Sequence, residues 1–111
     1  MSFDHTLFRA PGPGPMSSWP DAPMEPLGTL AEMQARLAAL FPEVRWTPFR
    51  DTWFGMLRPP PDDGVEVQMT PDAEGLVRML TVRRATREEV VQLCKALALV
   101  AVDPGFELIR P

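Results

Sequence analysis

Residues 3–9 alternate in polarity, with Phe3, His5 and Leu7 on one side and Asp4, Thr6 and Phe8 on the other, which predicts a short strand. Two later stretches follow a helical period instead. Leu30, Met33, Leu37, Leu40 and Phe41 recur behind Thr29-Leu30-Ala31-Glu32, a capping box in which the Thr29 hydroxyl and the Glu32 carboxylate each satisfy the other residue's backbone N–H. Pro42 forces an end, so the helix is placed at 29–41. Thr86-Arg87-Glu88-Glu89 is a second capping box, followed by a stripe of Val90, Leu93, Cys94, Leu97 and Ala101 that Val91 and Ala98 widen. This predicts the better-buried helix.

Between the helices the period changes to two. Val44 to Trp46 reads as a short extended piece and 52–57 as a strand, separated by Pro48. Val65, Val67 and Met69 alternate with Glu66, Gln68 and Thr70 in the cleanest half-buried strand of the chain. Pro71 to Gly75 is a turn, and Leu76 to Arg83, apolar on both sides, closes a hairpin as a more central strand. Val102-Asp103-Pro104-Gly105 fits a turn into a last strand at 106–109. Residues 10–28 carry six prolines and three glycines and predict a long, partly polyproline-like connection, pinned to the body through Met16, Trp19, Met24 and Leu27. The order is β-α-β-β-β-α-β. It implies one α+β domain over 1–111, a single largely antiparallel sheet with two helices on one face. The opposite face is then either exposed or covered, by the proline-rich segment from within or by a partner from outside.

Composition narrows the function classes. A 45% hydrophobic and 23% charged chain of 111 residues can build one core, while 14 prolines are nearly three times the usual share of about 5%. The net charge of −4 repels a phosphate backbone, so nucleic acid is not an expected partner. All cations but Lys95 are arginine, a bias assigned first to coding composition. The single cysteine, Cys94, makes no internal disulfide, and a reducing cytoplasm is the expected location. Residues 1–5 lack the basic start and apolar run of a signal peptide, and the longest apolar stretch, Ala96 to Val102, is too short to cross a membrane.

No catalytic residue, metal or cofactor is predicted. His5 is the only histidine and sits among apolar neighbours on a strand. Cys94 lies on the apolar stripe of its helix, where a thiol packs as a small hydrophobe. Asp62-Asp63 and Glu88-Glu89 are adjacent pairs that cannot face each other across a cleft, and Gly12 and Gly14 stand among prolines that lack the N–H donors of a phosphate cradle. The cluster Trp46, Phe49, Arg50, Trp53, Phe54, Met56 and Arg58 uses the residue types enriched at interface hot spots, and also those a small core without tyrosine needs for packing. Arg83, Arg84 and Arg87 form a basic corner at a strand-to-helix junction.

The opening Ser2-Phe3-Asp4-His5-Thr6-Leu7-Phe8-Arg9, the proline-rich stretch, a capped helix, three strands, and a closing Leu93-Cys94 helix with Val102-Asp103-Pro104-Gly105-Phe106 resemble in layout small uncharacterised bacterial proteins, some of them similar to immunity proteins of polymorphic toxin or contact-dependent secretion systems. The resemblance implies a cytoplasmic protein that blocks a toxin by binding it, and assigns no residue a role. The leading expectation is thus a non-enzymatic protein-binding module of the immunity type. Candidate contacts are Trp46, Phe49, Arg50, Trp53 and Arg58 as anchors, with Asp62 and Asp63 for steering. The alternatives are a small metabolite-binding domain or enzyme with a pocket between sheet and proline-rich segment, and a homodimer.

Overall fold

Both capping boxes form. Thr29 Oγ1 accepts from the Glu32 N–H at 3.1 Å while Glu32 Oε1 accepts from the Thr29 N–H at 2.9 Å, and Thr86 and Glu89 repeat the exchange at 3.2 and 3.1 Å. The computed structural model describes residues 4–20, 24–57 and 64–111. Along them come β1 (Asp4–Phe8), a 3-10 turn (Met16–Ser18), β2 (Gly28–Thr29), α1 (Leu30–Leu40), β3 (Arg45–Phe49), β4 (Thr52–Met56) and β5 (Glu66–Met69). The chain continues with β6 (Leu76–Val77), β7 (Met79–Arg83), α2 (Arg87–Leu97), β8 (Val100–Val102) and β9 (Leu108–Ile109).

Seven strands form one sheet in the order β3-β4-β5-β7-β1-β8-β9, every described pair antiparallel, while β2 and β6 make a two-stranded ribbon beside it. The register aligns Val67 with Val82 and His5, and Leu80 with Leu7 and Ala101, so these side chains share one face. That face is buried under Met33 and Leu37 of α1 and Val90, Leu93, Cys94 and Leu97 of α2 in one continuous core. The α+β class, the large antiparallel sheet and the two helices are as the sequence predicts. No described helix is long and apolar enough to cross a membrane.

Four local expectations are corrected. Leu76 to Arg83 is not one strand: Leu76 and Val77 pair with β2 in the separate ribbon, and only Met79–Arg83 joins β5 in the large sheet, so the chain has more strands than the expected order. The apolar stripe of α2 does not reach Ala101: the helix stops at Leu97, Ala98 takes a left-handed φ of 58°, and the Leu99 N–H donates to the Cys94 carbonyl. Ala101 instead lies in β8, which pairs with β1. The uninterrupted apolar run from Ala96 to Val102 satisfies a helical and an extended reading alike, and its β-branched end goes to the sheet. Val44–Trp46 and 52–57 are not separate pieces but the arms of a hairpin, β3 and β4, joined by Arg50 and Asp51 with Arg50 at φ 57°. Phe106 falls outside the last strand, because the Phe106 N–H closes the Pro104-Gly105 turn onto the Asp103 carbonyl at 2.9 Å.

Candidate functional site

The face of the sheet opposite the helices is where the fold leaves chemistry accessible. Its middle row runs Thr47, Phe54, Gln68, Thr81, Thr6, Val102 and Leu108 across the sheet. The neighbouring row runs Arg45, Met56, Glu66, Arg83 and Asp4, with the Arg83 guanidinium 3.5 Å from both Glu66 and Asp4. Beyond the middle row, Phe49 aligns with Thr52, and Met79 with Phe8.

The proline-rich segment covers the β1–β8 end of this face. Six prolines in 10–28 remove backbone donors but leave every carbonyl, so the segment presents an excess of acceptors. Arginines, which only donate, answer it. Arg110 reaches the Gly14 and Gly12 carbonyls at 2.9 and 3.4 Å, Arg9 the Pro26 carbonyl at 3.3 Å, and Arg78 the Met24 carbonyl. The ring of Trp19 meets Phe8 edge-on at 5.8 Å, and the Arg110 guanidinium lies 6.0 Å from the Trp19 ring centroid. Part of the arginine preference therefore has a structural use.

The other half, over β3, β4, β5 and β7, is uncovered among the described residues. Phe49 is 62% exposed and Met79 43%, while Phe54 in the middle row and Met56 in the row of Arg45 and Glu66 are half-buried. The Arg50 guanidinium stands 5.5 Å from the Phe49 ring centroid at the hairpin tip. A recess of about 280 Å³ opens beside this patch, between Gln68, Thr70, Thr81 and Met79, with Asp72 and Arg78 among its walls. Arg78 Nε donates to Asp72 Oδ2 at 3.1 Å, and Asp72 Oδ1 accepts from the Leu76 and Glu74 N–H groups at 3.0 and 2.9 Å. Those bonds, the Leu76 amide foremost, hold the Asp72 carboxyl below its ordinary range.

The aromatic cluster read from the sequence divides between the two faces. Trp46 aligns with Gly55 and Val67 on the helix side, where its ring packs against the core, and Trp53 aligns with Met69 on the same side. Phe49, Phe54 and Met56 point the other way. Trp46 and Trp53 are thus not neighbours of Phe49 on a common surface, and Arg58, Asp62 and Asp63 lie outside the described residues. Sequence reasoning passed over Met79 and Thr81, which the alternation in Leu76 to Arg83 places on the outer side.

The free edge of β3 is poorly suited to strand addition. Phe49 and Thr52 flank a two-residue turn and form its hydrogen-bonded pair, so Pro48, one place further, turns its donorless nitrogen outward. Elsewhere the reactive residue types are buried. His5 is 6% exposed on the core face with Nδ1 unpartnered, and Cys94 is fully buried, its thiol pushed up to about 11 by burial. Among the described residues no three His, Cys, Asp or Glu side chains gather as metal ligands. No protein-family model matches the chain, and neither a curated protein nor a solved structure does.

Proposed function

We propose that this chain is a non-enzymatic protein-binding domain that docks through the uncovered half of its outer sheet face, and that it serves as an immunity-type inhibitor occluding a toxin or effector. The observation that carries the reading is the accessible apolar side chains Phe49, Phe54, Met56 and Met79 on one sheet face with Thr47, Thr81 and Gln68, beside a recess of about 280 Å³. Aromatic and methionine anchors inside a polar frame are the composition of interface cores. Exposed apolar groups of this kind, gathered on one side of a small domain, mark interaction sites. The net charge of −4 favours encounter with a basic partner, and the cytoplasm is the proposed place of that encounter.

Occlusion requires no chemistry from the inhibitor, in keeping with the burial of His5 and Cys94. Capture with tagged protein from the native host, under a salt wash, identifies the partner, and titration of that purified partner tests the face. Phe49→Asp and Met79→Asp change exposed side chains and should lower affinity at least tenfold without lowering the Tm. Trp53→Ala, on the helix side, should leave affinity within a factor of two or three. Full affinity in folded Phe49→Asp and Met79→Asp proteins would remove this face from the interface. A dimer mass by light scattering that these two changes convert to a monomer would replace the foreign partner by a second copy.

A further inference from the structure

The large sheet has two edges, and they differ in what they offer another strand. On β3 the outward nitrogen of Pro48 has no hydrogen to give. On β9 the outward groups are complete. The Asp103 N–H donates to the Glu107 carbonyl at 3.0 Å, so Asp103 and Glu107 are a hydrogen-bonded pair, and the register runs on through Val102 with Leu108 and Ala101 with Ile109. Bonded and non-bonded pairs alternate in an antiparallel ladder, which turns the N–H and C=O of Leu108 away from β8. Those of Arg110, two residues on, turn the same way. Pro111 shares the inward parity of Ile109, so its missing donor faces β8 and leaves the edge intact. Among the described residues no hydrogen bond reaches the outward backbone groups of Leu108 and Arg110.

The turn that leads into this edge holds a bulky residue under strain. The Phe106 N–H closes it onto the Asp103 carbonyl, and Asp103 Oδ1 accepts from the Gly105 and Glu107 N–H groups, both at 2.9 Å. Phe106 takes φ 63°, the left-handed place that glycine usually fills in a three-residue hairpin loop. Its side chain is 81% exposed, the highest value among the described large apolar residues. Strain that holds an aromatic ring in water beside an open edge calls for a cover.

We propose that β9 pairs antiparallel with β9 of a second copy across a twofold axis at Ile109, with Phe106 covered at the margin of the contact. In that register Leu108 stands opposite Arg110 of the other copy, and each of the two such pairs exchanges two backbone hydrogen bonds. A second copy is the occupant the geometry favours, because it presents the same two residues at the same spacing and leaves no outward group of either edge unmatched. Pro48 keeps β3 from competing, so the assembly closes at two. Glu107 falls opposite Pro111 of the other copy, which sets Phe106 next to an apolar neighbour. The uncovered patch over β3, β4, β5 and β7 lies at the far end of the sheet, so the pairing is independent of the docking proposed there and presents one patch at each end.

So short an edge covers less than the roughly 1,200–2,000 Å² of stable interfaces, and a Kd on the order of 0.1 mM is expected. The test is sedimentation equilibrium of the full chain from roughly 10 μM to 1 mM, with amide exchange of ¹⁵N-labelled protein at both ends of that range. At such a Kd the monomer fraction falls about fourfold across the range, and exchange of the Leu108 and Arg110 N–H groups should slow by the same factor. Ile109, bonded to β8 in both states, should not change. Leu108→Glu places opposite charges across the axis and Leu108→Lys like charges, so the glutamate variant should associate about tenfold more tightly than the lysine variant. If either fails to fold, the exchange of the unaltered chain decides. Phe106→Gly should raise the Tm, because glycine accepts the left-handed backbone, and weaken association severalfold. Phe49→Asp should leave it unchanged. A monomer throughout the range, a dimer without protection at Leu108 and Arg110, equal association of the folded Glu and Lys variants, undiminished association of Phe106→Gly, or a dimer abolished by Phe49→Asp would each overturn the proposal.

Discussion

Gly55→Ala isolates one contact that the fold depends on. Gly55 lies within β4, opposite Trp46, and a Cβ added there would sit 2.5 Å from Trp46 Cζ3 and 2.8 Å from Cε3 and Cη2. Those separations are about an ångström inside van der Waals contact, and the ring can retreat only by giving up its packing on the core. Two effects oppose each other. Alanine is intrinsically better than glycine within a strand by roughly 0.5–1 kcal/mol, whereas forcing an extra carbon into a packed site costs roughly 1–3 kcal/mol. The clash should win by about 1 kcal/mol, lowering the Tm by roughly 4–8 °C. In a Trp46→Ala background only the intrinsic gain remains, so the same change should stabilise by roughly 0.5–1 kcal/mol. Urea unfolding followed by circular dichroism across the four-member cycle gives the coupling, expected near 2 kcal/mol. An equal effect of Gly55→Ala in both backgrounds would refute the assigned contact, as would a stabilised single variant with unaltered tryptophan emission.

Ala98→Gly should raise stability by about 1 kcal/mol in thermal unfolding, since it relieves a left-handed residue at the end of α2 without removing a buried side chain. Acid should destabilise the protein through Asp72 and Glu32. The Leu76 amide holds the Asp72 carboxyl below its ordinary 3.8, and the Thr29 amide holds that of Glu32 below 4.5. Their contribution is complete well above those values and disappears as pH falls through the lower folded-state values, so Asp72→Asn should flatten the acid limb of a stability–pH curve. The Cys94 thiol, moved from 9.0 to about 11 by burial, holds roughly a hundredth of the ordinary thiolate at pH 8. An aromatic disulfide reagent should therefore label the folded protein far more slowly than the urea-unfolded one, and equal rates would contradict the burial.

Local signals carried the readings that held. Each helix start rests on four consecutive residues, and the β5–β7 hairpin on alternation flanking a Pro-Asp-Ala-Glu-Gly turn, so both were legible without knowledge of the fold. The β3–β4 hairpin was hidden because its turn is Arg50-Asp51, with arginine where glycine or asparagine would have announced a positive φ. The end of α2 was hidden for the same reason, with Ala98 in the place of a glycine. The aromatic run 46–58 looked like one surface in sequence, yet period-two alternation sends Trp46 and Trp53 to one side and Phe54 and Met56 to the other. A space between the sheet and the proline-rich segment was among the alternatives, but its lining could not be read, because Phe8, Trp19 and Val102 meet only through the sheet order.

That sheet order also dictates when the protein can fold. β1, from the first residues of the chain, sits inside the sheet, with Leu7 opposite Leu80 on one side and Ala101 on the other. The β3–β4 and β4–β5 pairings join neighbours in sequence and can form early. β1 has no partner until residues about seventy and ninety positions downstream are available, the kind of distant pairing that slows folding and leaves strands exposed in the meantime. During synthesis β1 therefore waits for β7 and β8, and any change that delays either leaves it an unpaired strand open to aggregation or proteolysis.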